Sequence, residues 1–172
     1  MACAFCDASA TMSGEHVWSS WIGELFGQGA RRYTFRRYGD GGRQRRGPLV
    51  REWRSNEIDL TANVVCAPCN NGWMSQVESS HAKPVLRDMI LSSNAVSLLP
   101  AGIESIVAFT FLKAVIADRM SPRRLPFFNR RECGAFRGLA NDSGGCPSLA
   151  GSFRGARSTR KFLNVLLHDD RH

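Results

Sequence analysis

Apolar positions along the chain fall into short blocks with different periods. Trp18, Trp21, Ile22, Leu25 and Phe26 recur at helical spacing and predict a helix whose aromatics pack inward. Tyr33 to Tyr38 suits a strand, and Leu49 to Trp53 could be its partner, because Gly39-Asp40-Gly41-Gly42 between them is a strong turn signal. The pair reads as a basic β-hairpin or as a mobile basic loop. Ile58 to Val65 predicts a short strand running into Cys66. Val77, Val85, Leu86, Met89 and Ile90 then follow a helical pattern, which Pro84 divides into two helices or kinks. Beyond Asn94 the character changes. Ile103 to Met120 is an apolar helix closed by Ser121-Pro122, a short helix is expected near Asn129 to Arg137, and Asn141 to Gly145 reads as a loop. Phe162 to Leu167 is a last apolar run before a polar tail.

These blocks predict an α+β chain with a mainly helical C-terminal region. A boundary near residue 93 separates a domain over 1–93, with a basic insertion near 27–57, from an accessory region over 94–172. The 172 residues and 43% hydrophobic content are enough for a real core. The longest apolar run considered, Ile106 to Ala117, is short for a bilayer and carries Lys113, so no membrane span is expected. The first ten residues lack the basic and apolar segments of a secretory signal. Six cysteines without such a signal point to a reducing, cytoplasmic setting and to metal binding over disulfides.

Cysteine spacing sharpens the picture. Cys3-x-x-Cys6 and Cys66-x-x-Cys69 supply four thiolates, a complete tetrahedral shell for Zn²⁺. Redox dithiols or an iron site are the alternatives. A closed four-sulfur shell leaves no open position, so its metal holds structure. The first pair reads as a knuckle and the second lies where a strand becomes a helix, which is the treble-clef arrangement. Such a site would bring Asn70 and Asn71 near Glu15 and His16. Cys133 and Cys146 have no partner at metal-binding spacing, and His81 reads as a surface or satisfied helix residue.

Charge adds a partner. The net charge is +8, carried mostly by arginine, which suits bidentate phosphate contacts. Between residues 31 and 54 stand Arg31, Arg32, Arg36, Arg37, Arg43, Arg45, Arg46, Arg51 and Arg54, against only Asp40 and Glu52. Tyr33, Phe35, Tyr38 and Trp53 are interleaved. Guanidinium groups beside aromatic faces suit nucleic acid, with DNA as the expected form; the competing reading is a solvated charged face.

Glu15-His16 is the candidate chemistry. Histidine is a natural base near neutral pH and a carboxylate is a natural ligand for a hard divalent ion. In an extended dipeptide the two side chains point to opposite faces.

The order Cys-x-x-Cys, Glu-His, Asn, Cys-x-x-Cys-Asn resembles the HNH endonuclease family. Ser13 to Trp18 and Val65 to Ser75 look like a zinc-containing branch of it, and the resemblance covers roughly residues 1 to 80. It implies a ββα-metal fold. It also implies His16 as general base, Glu15 and Asn70 as ligands of a catalytic Mg²⁺, Mn²⁺ or similar ion, and Asn63 as the residue that orients the base-bearing loop. Ser19 stands where the family often has Pro, and Asn70 where it often has His. The expected function is a metal-dependent endonuclease. The rivals are a catalytically inactive zinc module that binds nucleic acid and a protein-interaction knuckle.

Overall fold

The computed structural model describes residues 2–25, 33–39, 47–55, 60–120 and 126–142. The architecture is mixed α and β with two small antiparallel sheets. Strand β1 (Met12–His16) is followed by a one-and-a-half-turn helix α1 (Ser20–Leu25). Strands β2 (Tyr33–Tyr38) and β3 (Leu49–Ser55) pair with each other. Strand β4 (Thr61–Cys66) returns to pair with β1, so the β2–β3 hairpin is an insertion between the two strands of the first sheet.

From β4 the chain enters a helical path at once. Helix α2 (Ala67–Cys69), with Pro68 in its first turn, runs through two wide π-type turns, Asn70–Met74 and Val77–Ala82, into α3 (Lys83–Leu91). Pro fits the first turn of a helix because its missing N–H has no partner there. The path departs from helical geometry at Gly72 (φ −95°, ψ −116°). The path changes from the wide turn to α3 beside Pro84, which lies in the first turn of α3. The wide turn over Val77–Ala82 comes just before Pro84, where a proline ring would collide with a carbonyl of the preceding turn, and the Lys83 N–H bonds back to the Glu78 carbonyl.

Helix α4 (Pro100–Met120) is 21 residues long, longer than the apolar run read from the sequence. Among the described helices it is the one long and apolar enough to cross a membrane by length and composition. In the structure Phe109, Phe111, Leu112, Val115 and Ile116 are buried against the rest of the chain. Helix α5 (Arg130–Asp142) runs past the expected end at Arg137 and takes in Asn141 and Asp142, which had read as loop. A reciprocal cap starts it: Glu132 N–H donates to Asn129 Oδ1 (2.9 Å) and Asn129 N–H donates to the Glu132 carboxylate (3.0 Å).

One buried core draws on both ends of the described chain. Phe5 meets Trp73 edge-on at 5.1 Å, Trp73 meets Phe136 at 5.8 Å, and Phe136 meets Phe111 at 4.5 Å. This row of rings joins the cysteine turn, the helix start, α5 and α4. Val65, Val77, Leu112, Val115 and Ile116 fill the space around it. The aromatic residues of the first predicted helix do not share one fate. Trp21 is buried, but Trp18 is 56% exposed because α1 begins only at Ser20 and Trp18 lies in the bend before it. Phe26 lies outside the described residues.

Candidate metal centre and the strand it holds

The N-terminal turn is shaped by the backbone before any metal is considered. Asp7 N–H donates to the Cys3 carbonyl (3.1 Å) and Cys3 N–H to the Ala8 carbonyl (3.2 Å). Asp7 sits at φ 56°, in the left-handed region that aspartate tolerates better than most residues. Two main-chain bonds fasten the turn to the sheet: Ala4 N–H to Val64 O (2.9 Å) and Ala67 N–H to Thr11 O (3.1 Å). Cys66 ends β4 and Cys69 ends the first helical turn, so strand end and helix start present both sulfurs to the knuckle.

All four sulfurs, of Cys3, Cys6, Cys66 and Cys69, lie within 4.8 Å of one another. Cys6 and Cys66 Sγ are 3.6 Å apart. That is far beyond a disulfide bond of about 2.05 Å. It is close to the roughly 3.8 Å edge of a tetrahedron with metal–sulfur bonds of about 2.3 Å. Cys3, Cys66 and Cys69 are buried and Cys6 half-buried. Burial works to raise the Cys3 thiol, but backbone N–H groups of Phe5, Cys66 and Cys6 outweigh it and bring it down from 9.0 to about 7. Burial pushes Cys69 well above the usual thiol range and raises Cys6. Four such sulfurs packed together need a cation to be thiolates at once, and a soft, tetrahedral donor set is one that can hold a metal ion.

The cluster sets the neighbouring polar residues. In β1 the register to β4 shifts between Ser13, opposite Val65, and Glu15, opposite Ala62. Asn70 Nδ2 donates to Ser13 Oγ at 2.8 Å, so the helix start touches β1 two residues before Glu15. Asn63 is exposed on β4 and lies across from Gly14, where a Cβ would stand 3.5 Å from the Asn63 amide oxygen. His16, opposite Thr61, is half-buried at the end of β1. The fold thus brings Glu15, His16, Asn63 and Asn70 onto one strand pair and its adjoining helix start.

Glu15 does not meet Asn70 through its carboxylate. It is 8% exposed, and its Oε1 accepts from Lys113 Nζ at 2.6 Å. The same ammonium lies 2.9 Å from Glu78 Oε2 and donates to the His16 carbonyl at 2.9 Å. Trp21 Nε1 donates to the other Glu78 oxygen at 3.1 Å. Lys113, Glu78 and Trp21 therefore complete the surroundings of Glu15-His16. Sequence reasoning passed over them as site residues. The available signal was one lysine inside the apolar run Ile106 to Ala117. The four-cysteine group is the only cluster of three or more His, Cys, Asp or Glu side chains at metal-binding distance among the described residues.

Comparison of the chain with protein-family models, with curated proteins and with solved structures finds no match.

The predicted hairpin is present as β2–β3, and no residue of it is buried. Phe35 and Trp53 face each other across the strands and stack at 5.2 Å, with Arg51 5.4 Å over the Trp53 ring. Arg37 stands opposite Arg51. Arg36 is ion-paired to Glu52 at 2.6 Å, with both side chains open to water. Arg31, Arg32, Arg43, Arg45 and Arg46 lie outside the described residues. Cys133 is a fully buried free thiol against Arg119, and it is not part of the metal centre.

Proposed function

We propose that the chain is a zinc-stabilised nucleic-acid endonuclease of the HNH type, with His16 as the base that draws a proton from water. The four cysteines hold a structural Zn²⁺ in a treble-clef-like setting, one pair from the knuckle and one from the strand-to-helix junction. The observation that carries the reading is the contact of Asn70 with Ser13 beside that cluster, which seats the helix start against the strand bearing Glu15-His16. Strand, returning strand and helix in that order match the arrangement that the resemblance implies. The exposed arginine and aromatic face of the hairpin supports a nucleic-acid partner, with DNA as the expected form.

His16 would take the proton from water as its oxygen attacks phosphorus. The bond from phosphorus to the departing sugar oxygen breaks, and that oxygen takes up a proton from solvent. The catalytic divalent ion that the resemblance implies on Glu15 and Asn70 does not fit these residues. Lys113 already holds the Glu15 carboxylate, which leaves its charge compensated inside the protein. No step is therefore assigned to such an ion. The Lys113 contact favours a second reading, a zinc module that binds nucleic acid without cutting it.

Cleavage of plasmid and single-stranded substrates with Mg²⁺, with Mn²⁺ and with neither separates the two. The nuclease reading expects cleavage by the wild type and a loss of about 10²–10⁴-fold in His16→Ala, with zinc content and folding unchanged. Equal cleavage by a folded His16→Ala chain would remove His16 as the base. Binding without cleavage under every condition would establish the module instead.

A further inference from the structure

Lys113 lies at the meeting point of three elements. Its ammonium has three N–H donors, and each has a separate oxygen acceptor: Glu15 Oε1 on β1 at 2.6 Å, Glu78 Oε2 on the π-type turn at 2.9 Å, and the His16 backbone carbonyl at 2.9 Å. The side chains of Lys113 and Glu15 are 11% and 10% exposed and that of Glu78 is 21% exposed, so water competes little for these contacts. Two carboxylates and a backbone carbonyl are the donor set of a hard divalent cation. The separations of 2.6 to 2.9 Å are those of charged N–H···O bonds. Both Glu78 oxygens are engaged, because Trp21 Nε1 donates to Oε1 at 3.1 Å. A divalent ion placed on the remaining oxygen of Glu15 would face the ammonium across one carboxylate group and be repelled by it.

The chemistry of the residue agrees. The chain has only three lysines and is otherwise basic through arginine. A compact ammonium serves a tripod of oxygens with three donors diverging from one nitrogen, which a planar guanidinium does not offer.

We propose that Lys113 is the resident cation of an internal site formed by Glu15, Glu78 and the His16 carbonyl, and that it fills this site in place of a divalent metal ion. Helix α4 then sets the end of β1 directly, which makes Lys113 and Glu78 positioning residues for His16. The inference stands whether or not the chain cleaves nucleic acid, because its test reads cation binding without any substrate.

The test is Mn²⁺ binding to the zinc-loaded full chain, followed by electron paramagnetic resonance of the free ion. Wild type and Glu15→Gln should bind Mn²⁺ alike, within about twofold. Lys113→Met keeps the length and apolar stem and removes the charge, leaving two carboxylates face to face. It should gain an Mn²⁺ site at least about tenfold tighter than any in the wild type, and Glu15→Gln added to it should abolish that site. The proposal is overturned if Glu15→Gln weakens Mn²⁺ binding in the wild type by tenfold or more, since Glu15 would then already hold a metal ion. It is also overturned if a folded Lys113→Met chain binds no more Mn²⁺ than the wild type. Should Lys113→Met fail to fold, the comparison of wild type with Glu15→Gln decides alone.

Discussion

The two sheets of this protein are built from strands of similar length and meet opposite fates. Strands β1 and β4, of 5 and 6 residues, are tied to the cysteine cluster, to the helix start and to α4. Val65 and Cys66 at the end of β4 are fully buried. Strands β2 and β3, of 6 and 7 residues, pair along their length with one irregularity between Arg37 and Tyr38, yet contribute nothing to the buried core. Among the contacts that join them are a stacked aromatic pair, an arginine over one of its rings and an exposed ion pair. Both sheets are antiparallel pairs with one irregularity each. The difference lies in apolar burial and in the four-cysteine cluster, which decide whether a two-stranded sheet is a framework or an appendage.

The sharpest way to break the contrast is to disrupt the four-cysteine cluster. Cys66→Ser should lose the bound metal and the cooperative melt of the core together. Structural zinc in small sites is worth about 10–16 kcal/mol, as much as the whole stability of an ordinary domain. Metal content by mass spectrometry and thermal unfolding check this, and a metal-free variant with unchanged melting would overturn it.

A smaller effect is expected within the core. Phe136 is completely buried and touches Phe5, Trp73 and Phe111. Phe136→Ala should cost about 3–5 kcal/mol in chemical denaturation while the metal stays bound. An unchanged midpoint would mean that α5 does not share the core that holds the cysteines.

The smallest effect belongs to the hairpin. Trp53→Ala removes a stacked pair worth about 0.5–1.5 kcal/mol locally. It should leave the melting of the core within about 0.5 kcal/mol of the wild type and abolish the near-ultraviolet signal of the Phe35–Trp53 stack. A large drop in core stability would show that the hairpin is part of the framework after all.

Much of this could be read along the chain. The spacing of Cys3, Cys6, Cys66 and Cys69 was enough to foresee one four-sulfur site, because ligand geometry is encoded in local intervals. The β2–β3 pairing followed from its turn residues, and the strand into Cys66 from its apolar run. Helix α4 was placed by its apolar length and α5 by its start at Asn129. What failed locally did so for local reasons. Trp18 shares the helical period of Trp21 but precedes the helix, and the wide turn before Pro84 is one that no periodicity announces.

Only the tertiary structure decided what stands next to Glu15. Lys113 is 98 residues away along the chain, and Glu78 joins it from a third element. A single charge within the apolar run Ile106 to Ala117 tells that some partner must exist, since an unpaired ammonium is costly to bury. It does not tell which carboxylate answers it. That depends on how α4 packs across the π-type turn and β4, a long-range arrangement set by the shape of the whole core.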